Sequence, residues 1–239
     1  MPRSGNPQDR IAASLARNGW FRRRPAELRH RLIEHMQVSS VETGRWLYDT
    51  GDEAHGLYGV LSGSVTTYVW LDNGENVPVN ISGPGSIFGY AAQVLGGRRV
   101  TTAVARERSE ILFIPQQALA AIAREQPSLW LHFAELATEQ LTAAVRINAE
   151  RARLSPHARL ASRLHAYATV WDNGSDMAVL PLRQDELAEL TGLSRKTVNG
   201  ILRDFEKHGI VALGYREITV RDADGLARVV KTDAGSGPA

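Results

Sequence analysis

The residues best suited to chemistry lie between Pro181 and Val211, where a basic tip and an apolar stripe share one predicted helix. From Ser194 to His208, Val198, Ile201, Leu202 and Phe205 recur at helical spacing and build one inward face. Arg195, Lys196, Asn199, Gly200, Arg203 and Lys207 are left on the opposite, solvent-facing side. Ser194 is a good N-cap, and Leu193 with Val198 makes the pair of a hydrophobic staple. The chemistry on offer is recognition. Arg195, Lys196 and Thr197 occupy the first turn, where cationic charge adds to exposed backbone N–H groups, and an arginine there can grip guanine in bidentate fashion. The plainer reading is a solvated amphipathic helix in which Asp204 and His208 form an i,i+4 pair. Gly200 speaks against it, because a glycine costs about 1 kcal/mol relative to alanine inside a helix; here it permits close backbone approach.

The elements that must position this tip are legible around it. Gln184 to Leu190 predicts a preceding helix that buries Leu187 and Leu190, and Thr191-Gly192-Leu193 supplies the turn, with glycine where positive φ is cheap. Two short helices joined this way place side chains in the DNA major groove. Downstream, Ile210–Leu213 and Glu217–Val220 flank Gly214-Tyr215-Arg216, a β-hairpin whose tip offers Arg216 to a phosphate.

The whole chain has 239 residues, 43% hydrophobic and 23% charged, which suits a globular protein of two modest domains and excludes a disordered or fibrous one. Its 28 Lys+Arg against 26 Asp+Glu leave a formal charge of only +2, so any nucleic-acid site must be local. Cysteine is absent, which excludes disulfides and cysteine-held iron–sulfur clusters or zinc. His30, His35, His55, His132, His157, His165 and His208 are scattered without metal-ligand spacing, which argues against a metal site and against haem. No cofactor and no catalytic residue is predicted: P-loop, GxSxG and nucleophilic cysteine are all missing. There is no apolar leader and no run of about 18 apolar residues, so a cytoplasmic protein without a membrane partner is expected.

Residues 1–19 read as loosely ordered, apart from a turn or two around Ile11, Ala12 and Leu15, and a short helix is predicted over Ala26 to Met36. From Val41 to Pro115 short β-rich runs alternate with glycine: Arg45–Tyr48, Leu57–Leu61, Val65–Leu71, Asn76–Ser82, Val100–Ala105 and Ile111–Pro115. Gly96-Gly97 is among the predicted turns, and Asn73-Gly74 is the best candidate for a two-residue hairpin. Beyond Gln126-Pro127 a long helix runs to about Leu154, where Ser155-Pro156 breaks it and a new helix starts over His157 to Tyr167. Leu129, Phe133, Leu136, Ala143, Ile147 and Leu154, interrupted by Gln140, step along it as in a seam between packed helices. The seam fits a homodimer; packing against the chain's own β-domain is the other use of such a face.

Gly51-Asp52, Leu57-Tyr58-Gly59-Val60 and Leu61-Ser62-Gly63-Ser64-Val65, with Gln184-Asp185-Glu186-Leu187-Ala188 and Gly192 through Val198, resemble the CRP/FNR family of bacterial transcription regulators. The resemblance covers roughly Trp20 to Val220. It implies an α+β chain: a cyclic-nucleotide-binding-type, jelly-roll-like β-roll over 20–126, a dimerisation helix over 127–154, a winged helix-turn-helix domain over 155–222 and a tail over 223–239. It implies a homodimer on near-palindromic double-stranded DNA, with RNA polymerase a further candidate partner. The DNA-binding candidates are then Arg183, Gln184, Ser194, Arg195, Lys196, Thr197, Asn199, Arg203 and Arg216.

Departures from the family pattern carry information. Tyr90 follows Gly89 where cAMP-binding members carry a glutamate, Arg99 and Val100 stand at their arginine-serine pair, and Ala144 and Val145 at their threonine-serine pair. These changes argue against cAMP. They leave room for another anionic effector held by Arg99 among Phe88, Gly89, Tyr90, Val100 and Thr101; alternatively, Arg98 and Arg99 are a solvated loop pair. Lys196 replaces a glutamate, so it can donate to a base but not accept. Arg183 replaces a threonine N-cap, which costs about 1 kcal/mol unless another residue caps; alternatively it is an extra phosphate contact. Two other classes compete: a ligand-binding β-roll that no longer reads DNA, and a cupin-type enzyme, for which His55 alone lies on the β-rich segment.

Overall fold

The computed structural model describes residues 6–92, 97–171 and 177–234, so the predicted turn residue Gly96 and both extreme ends lie outside the described residues. Helices α1 (Pro7–Leu15), α2 (Gly19–Arg22) and α3 (Ala26–Glu34) open the chain. Strands β1 (Gln37–Val41), β2 (Trp46–Tyr48), β3 (Gly56–Ser62), β4 (Val65–Trp70), β5 (Asn76–Ser82), β6 (Ile87–Phe88), β7 (Thr102–Ala105) and β8 (Ser109–Pro115) follow. Then come α4 (Gln116–Glu125), α5 (Ser128–Arg153), α6 (Pro156–Trp171), β9 (Ala178–Leu180), α7 (Gln184–Thr191), α8 (Arg195–Lys207), β10 (Val211–Gly214), β11 (Glu217–Val220) and α9 (Ala223–Ala234). Two compact units result, Met1–Leu141 and Thr142–Ala239, so the division falls within α5 and not at its end near Leu154.

In the first unit two antiparallel four-stranded sheets, ordered β1-β8-β3-β6 and β2-β7-β4-β5, form the roll. Val60, Val65, Ala103 and Ile111 are buried between them. The alternation of the sequence locates most of these strands. It misses β1 and β6, which carry too few apolar residues or too few residues at all, and it starts β7 two residues early. Asn73-Gly74 does not form a two-residue hairpin: Leu71 N–H bonds the Glu75 carbonyl at 2.9 Å and Gly74 takes φ 81°. The turn is therefore a three-residue loop with glycine in the left-handed position.

Of the segment 1–19, the described residues 6–19 are not simply loose. Asn6 caps α1 by accepting from the Gln8 N–H at 3.1 Å, and Ile11 and Leu15 are buried with Trp20, Phe21, Leu28 and Leu32. The predicted dimer seam needs a larger correction. Leu129, Phe133 and Leu136 belong to this same core and have almost no exposed surface, because the start of α5 lies against its own domain. They cannot meet a partner. Gln140 is exposed, and Ala143, Ile147 and Leu154 are half-buried.

In the second unit β9 pairs with β11, and β11 with β10, so the hairpin is the outer part of a three-stranded sheet. The predicted tail contains α9, which packs on α6 and buries Leu226 completely. Asp233 Oδ2 accepts from the Ser155 N–H at 2.9 Å at the start of α6; a hydrogen bond from the Ser155 hydroxyl, and after it this backbone bond, hold the Asp233 carboxyl below the usual range.

Candidate nucleic-acid interface

Val198, Ile201, Leu202 and Phe205 are buried along α8, as their spacing requires. Ser194 Oγ accepts from the Thr197 N–H at 3.0 Å, closing the N-terminus, and the Ser194 and Thr197 hydroxyls lie 2.8 Å apart. The turn from α7 depends on Gly192 at φ 65°, with the Leu193 N–H bonded to the Ala188 carbonyl at 3.0 Å. Arg195, Lys196, Gly200, Arg203 and Lys207 are exposed. The packing that buries one face of α8 thus leaves its basic face to solvent.

β10 and β11 pair Gly214 with Glu217, leaving Tyr215 and Arg216 as the tip. Tyr215 is 90% exposed and Arg216 sits at φ 60°, a left-handed conformation that disfavours side chains. Glu206 Oε1 accepts from the Leu213 N–H at 2.9 Å, which ties this wing to α8. A cleft of about 450 Å³ lies between them, lined among others by Arg183, Gln184, Arg195, Asn199, Tyr215 and Arg216. Three separate chain segments therefore bring their polar side chains to one concavity.

Arg183 and Asn199 are engaged locally. Arg183 pairs with Asp185 at 3.3 Å and Glu186 at 3.5 Å, and its N–H donates to Glu186 Oε2 at 2.8 Å. Glu186 thus makes the half of a capping box that satisfies the Arg183 N–H; arginine, lacking an acceptor, cannot make the other half. Asn199 Nδ2 donates to Gln184 Oε1 at 2.7 Å. This link between two candidate residues is absent from any helical periodicity, since it joins faces of different helices.

In the β-roll, Arg99 is 3% exposed, which rules out a solvated pair; Arg98 is exposed and donates to the Gly51 carbonyl at 2.8 Å. The Arg99 guanidinium lies 4.4 Å from the Tyr48 ring centre and 5.4 Å from that of Tyr58. Its Nη atoms donate to the carbonyls of Gly89 at 2.5 Å and Gly56 at 2.7 Å. A Cβ on Gly89, at φ 80°, would stand 2.7 Å from Arg99 Nη1. Burial lowers the guanidinium's pKa, opposed by Tyr48, Tyr58 and Asp52. Burial also pushes the Tyr90 phenol up to about 12. Phe88 is buried beside Tyr58, and Thr101 bonds the Tyr48 phenol. Val100 does not line this region: at 64% exposed it points to solvent.

A roll of two antiparallel sheets, a long helix and a basic helix-turn-helix with a wing together define a DNA-binding transcription regulator, which is not an enzyme. The family model for the cyclic nucleotide-binding domain matches residues 38–126, and that for the Crp-like helix-turn-helix domain matches residues 158–229. The chain belongs to the CRP/FNR family of transcription regulators. Transcriptional regulatory protein btr of Bordetella pertussis is 27% identical over 194 residues, spanning 80% of this chain and 79% of its own. The cyclic AMP receptor protein of Thermus thermophilus is 29% identical over 191 residues, spanning 80% and 87%. Among solved structures, FixK2 from Bradyrhizobium japonicum shares the fold with a TM-score of 0.72 at 20% identity, covering 81% of this chain and 96% of that one. Among the described residues no helix is long and apolar enough to cross a membrane.

Proposed function

We propose that the protein acts as a homodimer on a near-palindromic DNA site, with Arg195 reading guanine, Lys196 and Arg203 on α8 beside it, Arg216 on a flanking phosphate, and no requirement for cAMP. The observation that carries this is the unpaired basic face of α8 above a fully buried apolar face. Dimerisation is supported by a different stripe of α5 from the one predicted. Leu131, Leu141 and Val145 are all exposed and, with Thr138, follow at steps of seven, three and four, the repeat of a two-helix seam. Independence from cAMP is supported by Arg99, whose Nη donors already hold two backbone carbonyls, and by Tyr90 where the family's ribose-binding glutamate would stand.

The deciding experiment is selection from a random duplex pool with purified protein at two salt concentrations, without nucleotide. An inverted repeat should emerge, and Arg195→Ala should lose about 1–3 kcal/mol of specific affinity together with selection at one base pair. Absence of any motif would overturn the reading. Leu141→Arg should leave a folded monomer by light scattering, and a dimer of unchanged affinity would move the interface elsewhere.

A further inference from the structure

We propose that Gln184 and Asn199 form one reading unit that selects adenine, Asn199 contacting the base and Gln184 acting as its positioning residue; this rests on the DNA-binding reading above. The Asn199 Nδ2 to Gln184 Oε1 bond joins the first residue of α7 to the second turn of α8, and both residues line the cleft that Arg195 and Arg216 also line. An asparagine amide can present either of two polarities by turning about its last torsion, so by itself it chooses poorly between donors and acceptors. In this pair Gln184 Oε1 is the acceptor, so the nitrogen of Asn199 is the atom turned toward α7.

What remains of Asn199 is one acceptor, Oδ1, and the second hydrogen of Nδ2. An acceptor beside a donor complements the major-groove edge of adenine, where the N6 amine donates and N7 accepts. Guanine offers two acceptors there, O6 and N7, and leaves Oδ1 facing another acceptor. The link also sorts the atoms of Gln184: Oε1 positions Asn199, while Nε2 keeps its hydrogens for a phosphate oxygen. Arg195 precedes Asn199 by four residues on the same side of α8, an axial offset of about 6 Å. The adenine is thus expected one to two base pairs from the guanine that Arg195 grips.

The test is duplex selection with wild-type protein, Gln184→Ala, Gln184→Glu and Asn199→Ala, each first shown to be folded by circular dichroism. Glutamate retains the acceptor toward Asn199 but loses the Nε2 donors and adds a negative charge. Gln184→Glu should therefore bind every sequence about tenfold more weakly and still prefer adenine. Gln184→Ala and Asn199→Ala should each lose that preference by roughly five- to tenfold at one position of each half-site. Replacing that adenine with 7-deaza-adenine should weaken wild type and leave Asn199→Ala unaffected. An unchanged adenine preference in Gln184→Ala, or equal loss in the alanine and glutamate variants, would overturn the proposal while leaving DNA recognition standing. If wild type enriches no motif, both readings fall together.

Discussion

The β-roll and the helix-turn-helix each carry arginines at positions the sequence singles out, and they use them in opposite ways. Arg99 is enclosed by Tyr48 and Tyr58, and its Nη donors are taken by the carbonyls of Gly56 and Gly89. Arg195, Lys196 and Arg203 lie open on α8 with no ion pair among the described residues, and Arg216 is raised on a strained turn. A buried cation must find hydrogen-bond acceptors within the fold, whereas an exposed one stays hydrated until a phosphate or base replaces the water. The charge is the same; availability to an anion is set by the backbone around it.

The largest effect should come from breaking the enclosed side of this contrast. Arg99→Ala removes two donors from backbone carbonyls and empties the space beside Tyr48, so unfolding in urea should show a loss of about 3 kcal/mol. The DNA preference of the folded protein should stay as it is. A stable Arg99→Ala protein whose DNA binding is altered would instead make Arg99 part of a signalling site. Arg99→Met sharpens the point, because an apolar side chain of similar length restores packing without a charge to desolvate, and it should recover part of the loss.

The same contrast explains what was legible in the sequence. The helix-turn-helix was readable because each of its determinants is local: the stripe from Val198 to Phe205, the cap at Ser194, the left-handed Gly192. The order of short strands in the roll was readable for the same reason. The burial of Arg99 was not, since its partners stand 43 and 10 residues away in sequence. Nor was the use of α5: Leu129, Phe133 and Leu136 show the periodicity of a buried face, and periodicity does not say against what. The open Leu131, Leu141 and Val145 became distinguishable only when burial was known. Helix α9 was hidden in a segment that reads as a tail, although Leu226 is wholly enclosed. The Gln184–Asn199 link joins two helices and leaves no trace in either pattern.

On the open side, Arg216 allows charge and backbone strain to be separated. Arg216→Ala should weaken binding to all sequences alike and lower the salt slope by about one. Arg216→Gly should do the same to binding, but it relieves the left-handed strain and should be about 1 kcal/mol more stable than the alanine variant. Equal stability of the two would mean that the turn rearranges when arginine is removed. A change in base preference in either would place Arg216 in a groove and not on the backbone.

Arg183 lies between the two extremes, half-exposed and paired with Asp185 and Glu186, and it gives the smallest and most discriminating effect. Threonine in its place would restore an oxygen that can accept from the α7 N-terminus, worth about 1 kcal/mol. It would also remove surface ion pairs worth about 0–1 kcal/mol. The net change in stability should be a gain of a few tenths of a kcal/mol, because Glu186 already bonds the Arg183 N–H and the cap is half made. If Arg183 stays with its carboxylates on DNA, Arg183→Thr should leave affinity and salt slope unchanged, since its charge is locally balanced. If affinity falls uniformly and the slope drops by about one, Arg183 has exchanged Asp185 for a phosphate and joins Arg216 among the open cations.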